Sequence, residues 1–317
     1  MELEDIRSIA VLGTGTMAPG IAQVCAQSGY SVSMWGRTDA SLKRGFDRIH
    51  SNLRTLREND LLTEQTARAV LSRISGVKTI EEAAAAADFV IESIAEDMSL
   101  KKEAFGTLDR ICAEGTILAT NTSGLSVTEI AAATGRAHKV VATHFWSPPH
   151  LVPLVEVVQG DTTSTETVDV ALKLMKKMGK TPVVVKKDAP GFIGNRLQFA
   201  LLREALHIVE QGIASMEDVD ATVKASFGRR LPVTGPLESA DLGGLDVYLA
   251  ISDYLMKDLC SSGEVPRLLA EAVEKGWLGA KSGRGFYQRA PEAISRLSTA
   301  REEQLIDFLK KDQAKEV

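Results

Sequence analysis

The chain has 317 residues, which is enough for two domains of roughly 100 to 200 residues each. Hydrophobic residues make up 44% of it and charged residues 25%, as in an ordinary soluble protein. The 42 acidic residues outnumber the 37 basic ones, so the charge balance argues against nucleic acid or an anionic membrane surface as the main partner.

Short apolar runs alternate with helical stretches through the first half of the chain. Strands are predicted near residues 6–12, 31–35, 89–93, 117–120, 140–143, 153–158 and 182–185. Helices are predicted between them, near residues 17–28, 40–56, 63–74, 100–113 and 165–178. This alternation predicts an α/β domain over residues 1–187, built on a doubly wound sheet with helices on both faces.

The pattern changes after Asp188, where Pro190 and Gly191 indicate a boundary and predicted strands cease. Helices are predicted near residues 193–210, 216–225, 246–259, 265–275 and 293–311, the last as an amphipathic surface helix. The first of them has few polar positions, as expected of a helix buried on much of its circumference. Residues 188–317 are therefore predicted to form an all-helical C-terminal domain.

A glycine-rich turn follows the first predicted strand and opens the first predicted helix. It reads G-T-G-T-M-A-P-G over residues 13–20. Gly13 permits the tight turn, Gly15 lets a pyrophosphate approach the backbone, and Ala18 is small enough for close helix packing. The helix N-terminus adds amide donors and a positive dipole end. The turn predicts a dinucleotide site in a Rossmann-like domain, against the alternative of a plain glycine turn.

The second predicted strand ends in Trp35-Gly36-Arg37-Thr38. An NAD enzyme commonly carries an acid at this point to bind the adenosine ribose, and none stands at Gly36. Arg37 with Thr38 can instead hold a ribose 2′-phosphate, unless Arg37 is only a solvated loop charge. These residues leave both NAD and NADP open as the cofactor.

A histidine and a carboxylate flank a proline-stiffened loop near the middle of the chain. His144 lies at the end of one predicted strand, Pro148 and Pro149 stiffen the loop, and Glu156 lies on the returning strand. If the strands fold back on each other, the acid fixes the imidazole tautomer and makes the free nitrogen a better proton acceptor. The pair indicates an oriented general base. The alternative is a core histidine beside a strand-edge charge.

Several motifs occur in a fixed order along nearly the whole chain. They are G-T-G-T-M-A-P-G-I-A at 13–22, A-E-D-M-S-L-K-K at 95–102, N-T-S-G at 121–124, the block from His144 to Glu156, K-D-A-P-G-F-I-G-N-R at 187–196, T-G-P-L at 234–237 and K-S-G-R-G-F-Y at 281–287. In this order they resemble the 3-hydroxyacyl-CoA dehydrogenase family.

The resemblance implies that His144 is the catalytic base and Glu156 its partner, and that Ser123 and Asn195 hydrogen-bond the reacting oxygen or its neighbour. Such roles agree with the chemistry, because a hydride leaves a carbinol carbon only as the hydroxyl proton is removed. Donors near the oxygen then stabilise developing charge without a metal. Alternatively, Ser123 caps the helix near residue 127, and Asn195 caps or braces a helix of the second domain.

The resemblance also implies a set of cofactor-binding residues. With the glycine turn and the end of the second strand, they are Gly13, Gly15, Thr16, Met17, Ala18, Gly36, Arg37, Thr38, Glu96, Lys101 and Asn121. The family expectation is NAD, and a helical domain that forms a homodimer interface.

Two departures from the common family pattern concern the substrate. The chain has Ser147-Pro148-Pro149-His150 where N-P is more usual, and Gly124 where many members have a second serine. These features also resemble a branch that oxidises a pyridine alcohol or aldehyde without CoA. His150 is then either a residue of the substrate pocket or a solvated loop histidine.

Basic residues between positions 43 and 73 are the candidate contacts for the phosphates of CoA, although charge runs on helical hairpins are usually solvated faces. The leading hypothesis is an NAD(P)-dependent oxidoreductase that interconverts a short-chain L-3-hydroxyacyl-CoA and its 3-oxo partner. One alternative is the same chemistry on a free hydroxy acid or a heteroaromatic alcohol. Another is a non-catalytic dinucleotide-binding protein.

The three cysteines, Cys25, Cys112 and Cys260, lack metal-ligand spacing and indicate a reducing compartment. The acidic N-terminus leads directly into a predicted strand, and no apolar run approaches the ~20 residues of a membrane span. The expected location is the cytoplasm, and the expected partners are a small-molecule substrate and a second copy of the chain.

Overall fold

The computed structural model describes residues 1–315, with the backbone alone at residue 315. The strands are β1 (Ser8–Leu12), β2 (Ser31–Trp35), β3 (Ile74–Val77), β4 (Phe89–Glu92), β5 (Ile117–Thr120), β6 (Val140–Phe145), β7 (Leu154–Gln159) and β8 (Thr181–Val185). The helices of the first half are α1 (Ala18–Gln27), α2 (Asp39–Glu58), α3 (Glu64–Ser72), α4 (Ile80–Ala84), α5 (Met98–Ile111), α6 (Val127–Ala131) and α7 (Thr165–Lys177). Those of the second half are α8 (Gly194–Glu210), α9 (Met216–Ala225), α10 (Pro236–Gly243), α11 (Leu245–Leu255), α12 (Arg267–Glu274) and α13 (Pro291–Lys315).

The chain forms two compact units. One comprises residues 1–196 and the chain from residue 301 onward, and the other comprises residues 197–300. The predicted boundary after residue 187 stays a prediction, and residues 316 and 317 of the predicted helical domain lie outside the described part.

All eight strands of the first unit form one sheet in the order β3-β2-β1-β4-β5-β6-β7-β8. Neighbouring strands are parallel except β6 and β7, which are antiparallel. Strands extend to both sides of β1, and helices cover both faces, so the predicted doubly wound Rossmann-like sheet and helical second half are confirmed.

The core lies on both faces of this sheet. Along β1, Ile9 and Val11 belong to one apolar cluster, and Ala10 and Leu12 belong to the other. This follows from the two-residue period of a strand, which sends successive side chains to opposite faces. Burial on both faces explains why the central strands are continuous apolar runs rather than alternating ones.

Some short elements were not predicted. β3 lies where the helix predicted over residues 63–74 should end, and its sequence Ile74-Ser75-Gly76-Val77 has only two large apolar residues. It pairs with β2 alone at the edge of the sheet. The helix α10 is also absent from the prediction, and it begins with a proline at its first position, where the missing N–H costs nothing. The alanine run 83–87 was predicted to be helical, and α4 covers the start of it and begins three residues earlier.

The expected burial of α8 is wrong for the single chain. Leu206 is its only fully buried residue, whereas Leu197 and Phe199 are 57% and 59% exposed. The apolar character of α8 therefore does not serve an internal core of one copy.

The end of α13 is more than a surface helix. Its Ile306 is 3% exposed and packs in a small apolar cluster with Leu56 and Leu151. Lys310 Nζ also donates a hydrogen bond to Asn59 Oδ1. These contacts attach the final turns of α13 to the end of α2.

Candidate active site

His144 and Glu156 meet because of strand register. The antiparallel pairing of β6 and β7 places His144 directly opposite Glu156, and directly opposed residues present their side chains on the same face. The imidazole Nδ1 lies 2.8 Å from the carboxylate Oε2, and both side chains are buried. Two residues twelve positions apart in the chain are thus joined by a hydrogen bond.

Glu156 accepts three further hydrogen bonds. The indole N–H of Trp146 donates to the same oxygen as His144, over 3.2 Å. The backbone N–H groups of Ile193 and Gly194 donate to Oε1, over 2.9 and 3.0 Å. Burial alone would raise the pKa of Glu156, but these donors and His144 together lower it to about 2. The carboxylate is therefore charged at neutral pH.

A charged carboxylate determines the imidazole tautomer. It can only accept, so Nδ1 of His144 carries the hydrogen, and Nε2 of the neutral ring carries the lone pair. Among residues 1–315, no hydrogen bond engages Nε2. The rings of Trp146 and Phe192 lie 5.7 Å from the imidazole, centroid to centroid, and fix its plane. The arrangement presents one basic nitrogen to a reactant.

The glycine turn has two different kinds of glycine. Gly13 has φ of +131°, and a Cβ there would lie 2.5 Å from the carbonyl oxygen of Ser93. Gly15 has open space around the corresponding position, with nothing within 4 Å. Ala18 is fully buried at the start of α1. Gly13 is thus required by the fold, whereas Gly15 leaves a space that a ligand can fill.

A cleft of about 830 Å³ opens beside this turn. Its lining includes nine of the predicted site residues, namely Gly13, Gly15, Thr16, Met17, Gly36, Arg37, Glu96, Asn121 and Ser123. Leu100, Ala104 and Thr107 of α5 also line it. A glycine turn at a helix N-terminus beside a cleft of this size suits a dinucleotide.

The packing just after β2 accounts for the glycine at position 36, where an acidic residue is common in NAD enzymes. A Cβ at Gly36 would lie 2.8 Å from Thr14 Cγ2 and 2.9 Å from Leu42, so a side chain has no room there. Arg37 lines the cleft, whereas the hydroxyl of Thr38 accepts a hydrogen bond from the N–H of Ser41 and caps α2. Thr38 therefore has a structural contact, and its cofactor role stays a prediction.

Ser123 and Asn195 lie together. The side-chain amide of Asn195 donates to the backbone carbonyl of Ser123 over 2.8 Å. A Cβ at Gly124 would lie 3.0 Å from the backbone nitrogen of Gly191, so the absence of a second serine lets the two loops approach closely. Asn121 links the cleft to His144, because its Oδ1 accepts the N–H of Phe145, the next residue in the chain.

Lys101 does not line the cleft. Its side chain is 1% exposed, and its ammonium lies 2.8 Å from Glu92, a buried residue that sequence reasoning missed. It also lies 3.4 Å from Glu96. No local signal identifies Glu92, because a single carboxylate at a strand end is unremarkable until its partner is known. Lys101 as a direct cofactor ligand stays a prediction.

His150 is not a solvated loop histidine. Both of its ring nitrogens are enclosed and have no hydrogen-bond partner among residues 1–315. It does not line the cleft beside the glycine turn, and its place in a substrate pocket stays a prediction. Burial first, and then the nearby charge of Lys180, lower its pKa to about 4, which keeps it neutral at pH 7. Lys180 was also missed, and its ammonium donates to the carbonyls of Pro149 and Val152.

Residues 1–315 contain no group of three or more His, Cys, Asp or Glu side chains arranged to hold a metal ion. No helix among them has the length and apolar character needed to cross a membrane.

Known proteins resemble this chain in sequence over both halves. Residues 8–189 match the 3-hydroxyacyl-CoA dehydrogenase NAD binding domain, and residues 191–289 match the C-terminal domain of the same family. A probable 3-hydroxybutyryl-CoA dehydrogenase of Bacillus subtilis is 44% identical over 284 residues, covering 89% of this chain and 97% of that protein. A 5-formyl-3-hydroxy-2-methylpyridine 4-carboxylate 5-dehydrogenase of Mesorhizobium japonicum is 35% identical over 301 residues, covering 95% and 96%.

Solved structures give the same two kinds of relative. A crystal structure of the pyridine 5-dehydrogenase, described as an NAD+ dependent dismutase, superposes with a TM-score of 0.91 at 33% identity and covers 97% of this chain and 99% of that one. The (S)-3-hydroxybutyryl-CoA dehydrogenase of Ralstonia eutropha superposes with a TM-score of 0.76 at 36% identity, covering 90% and 99%. The chain belongs to the 3-hydroxyacyl-CoA dehydrogenase family.

Proposed function

We propose that this protein is an NAD-dependent dehydrogenase that interconverts a short-chain L-3-hydroxyacyl-CoA and its 3-oxoacyl-CoA. The observation that carries the proposal is the buried hydrogen bond between His144 and Glu156, which leaves one basic nitrogen free. The 44% identity to a probable 3-hydroxybutyryl-CoA dehydrogenase supports the choice of substrate.

His144 acts as the general base in the direction of oxidation. Its Nε2 removes the hydroxyl proton of the substrate. A nicotinamide dinucleotide held at the glycine turn would supply the acceptor for the hydride that leaves the same carbon. The ring then becomes an imidazolium, and the adjacent Glu156 carboxylate stabilises that positive charge. In the reverse direction the same nitrogen returns the proton to the oxygen.

Ser123 and Asn195 stabilise the reacting oxygen. As the proton leaves, negative charge develops on that oxygen, and Ser123, which lines the cleft, supplies a hydroxyl donor. The amide of Asn195 holds the Ser123 backbone through its hydrogen bond to the carbonyl. This pair supplies the stabilisation that a metal supplies in other dehydrogenases.

The residues around the cleft fit a dinucleotide. The space beside Gly15 accepts a pyrophosphate, and the backbone at the start of α1 supplies donors. NAD is the proposed cofactor, and Arg37, which lines the cleft, extends its use to NADP through the 2′-phosphate. Replacing Arg37 by Ala is expected to weaken NADPH binding ~10-fold with little change for NADH. Equal loss of both nucleotides in a binding titration would contradict the 2′-phosphate contact.

A heteroaromatic alcohol or aldehyde is the second candidate substrate. The pyridine 5-dehydrogenase superposes more closely than the hydroxybutyryl-CoA enzyme, with TM-scores of 0.91 and 0.76. The P-P-H sequence after Trp146 and Ser147 is the local feature that favours it. The base, its carboxylate partner and the cofactor cleft serve either substrate unchanged.

A substrate panel separates these candidates. Reduction of acetoacetyl-CoA, acetoacetate and a pyridine aldehyde is followed at the nicotinamide absorbance, with His144→Ala as the control for background oxidation. Turnover of the thioester alone is expected. Turnover of the aldehyde alone would show that the substrate is a heteroaromatic aldehyde and not a CoA thioester. Binding of NADH without any turnover would favour a non-catalytic dinucleotide-binding protein.

Two further proposals concern the state of the protein. We propose a homodimer, because the second compact unit has many exposed large apolar side chains, such as Leu237 at 82% and Leu249 at 72%. We also propose a reducing cytoplasm as its location. The three free cysteines are consistent with it, and two of them are buried.

A further inference from the structure

A buried ion pair lies behind the cleft. Glu92, at the end of β4, is fully buried, and the ammonium of Lys101 is 2.8 and 3.0 Å from its two oxygens. The hydroxyl of Thr120 and the N–H of Ile94 also donate to this carboxylate, over 2.7 and 2.8 Å. Every oxygen of Glu92 is therefore engaged, and Lys101 is held at a fixed position.

The ammonium has a second acidic partner at the surface. Glu96 Oε2 lies 3.4 Å from Lys101 Nζ, and the Glu96 side chain is 44% exposed and lines the cleft. A side chain with this exposure has many rotamers available. The ammonium of Lys101, which is held in place, favours the rotamer that brings Oε2 towards it.

The other oxygen of Glu96 holds the loop after β5. Oε1 accepts the hydroxyl of Thr122 over 2.6 Å and the backbone N–H of Ser123 over 2.8 Å. Ser123 is otherwise an exposed residue on a loop, and its hydroxyl must sit at one place to act on a reacting oxygen. Contacts thus run without a gap from the buried carboxylate to the backbone of this serine.

We propose that Glu92, Lys101 and Glu96 form a relay of positioning residues that sets the location of Ser123. The buried pair orients Glu96, and Glu96 orients the loop. Lys101 then acts through Glu96 and not by direct contact with the cofactor. This inference rests on the proposed role of Ser123 in the reaction.

Glu92→Gln tests the relay, because the amide can no longer balance the ammonium. Without cofactor, amide hydrogen exchange of Ser123 is expected to become ~10-fold faster. For the substrate that the enzyme turns over, kcat is expected to fall ~10-fold with KM little changed, since Ser123 acts on the transition state. In a Ser123→Ala background the same change should cause no further loss of kcat, whereas a merely structural role would lower it equally in both backgrounds.

The matched control is Glu129→Gln, which removes the partner of the neighbouring Lys102, an exposed pair at 2.9 Å. It should leave exchange and kcat at wild-type values. If Glu92→Gln fails to fold, Glu96→Ala replaces it, because removing this half-exposed side chain takes away the acceptor of the Ser123 N–H and breaks the last link only. Wild-type exchange at Ser123 in the folded variant would overturn the relay while leaving the proposed function intact. Absence of turnover in the wild-type protein would refute the function, and the exchange experiment would still decide on the relay.

Discussion

The two oxygens of Glu156 have different partners. Oε2 accepts from the imidazole of His144 and the indole of Trp146, and Oε1 accepts from two backbone N–H groups at the start of α8. A carboxylate with four donors is held in both position and charge. It therefore fixes the hydrogen on Nδ1 of the imidazole and attaches the start of α8 to the end of β6.

Glu156→Gln tests the tautomer directly. The amide oxygen can still accept from the backbone donors, but the amide nitrogen then faces Nδ1 as a donor. The imidazole must then adopt the other tautomer, with the lone pair on Nδ1 and the hydrogen on Nε2. Nε2 can no longer accept the proton of the substrate. We expect kcat for oxidation to fall ~10²-fold or more, with the nucleotide dissociation constant little changed. Steady-state kinetics and a nucleotide titration measure the two effects, and a wild-type kcat would contradict the assignment.

Gly13 and Gly15 form a matched pair for a second prediction. Alanine at Gly13 meets both a φ of +131° and the carbonyl oxygen of Ser93, so Gly13→Ala is expected to lower the free energy of unfolding by about 2 kcal/mol. Alanine at Gly15 meets nothing within 4 Å, and we expect stability to change by less than about 0.5 kcal/mol. Urea unfolding measures both values.

The same two variants should differ in the opposite direction in their affinity for the nucleotide. The methyl group of Gly15→Ala occupies the space of the pyrophosphate, so nucleotide affinity should fall ~10-fold or more. The folded fraction of Gly13→Ala should bind nearly normally. Unchanged affinity in Gly15→Ala would mean that the nucleotide does not approach this turn.

β6 and β7 determine the site more than any other elements. Their antiparallel register pairs His144 with Glu156, and Lys180, just before β8, donates hydrogen bonds to the loop between them. The ammonium of Lys180 is mostly buried and donates to the backbone carbonyls of Pro149 and Val152. Burial lowers its pKa from 10.5 to about 8, although the nearby Cys25 thiol opposes that shift.

This pKa predicts a pH dependence of stability. Between pH 8 and 10.5 the unfolded chain keeps the proton that folded Lys180 has released, so the stability contributed by Lys180 rises with pH. Relative to Lys180→Met, the wild-type protein should gain up to about 2 kcal/mol between pH 7 and pH 10. Cys25, with a pKa raised to about 12, and His150, with a pKa lowered to about 4, are present in both proteins, so their contributions to the pH dependence cancel in this comparison. Urea unfolding at the two pH values measures the difference, and parallel curves would contradict the prediction.

Elements defined by local pattern were predictable from the sequence. The central strands are apolar because both faces are buried, and the glycine turn has a residue-by-residue reason for each small side chain. β3 was missed because Ser75 and Gly76 interrupt its apolar run, and an edge strand needs less burial than a central one.

Long-range partners were not predictable in the same way. The pairing of Glu92 with Lys101 depends on how α5 folds back over β4, and the contact of Lys180 with Pro149 depends on the position of β8. Neither pair has a spacing rule that a sequence can show. The meeting of His144 and Glu156 was predicted because a short loop between two strands restricts the register.

The whole molecule combines a well-buried sheet unit with a helical unit that buries little in one copy. In α11, no residue is buried, although seven of its eleven residues are large and apolar: Leu245, Val247, Tyr248, Leu249, Ile251, Tyr254 and Leu255. Helices are normally stabilised by packing an apolar face rather than by propensity alone. A second copy of the chain is the partner that supplies such packing in the proposed homodimer.

Leu249→Asp tests the dimer. The side chain is 72% exposed in one copy, so a monomer tolerates the aspartate, whereas an interface would have to bury its charge. We expect the dissociation constant of the dimer to rise ~10²-fold or more, as for a central apolar contact. Analytical ultracentrifugation at several concentrations measures it. Val184→Asp, a 37% exposed apolar position on β8 at the sheet edge, is the control and should leave the assembly unchanged. If the wild-type protein sediments as a monomer at micromolar concentration, the exposed helices need another partner, and the homodimer proposal fails.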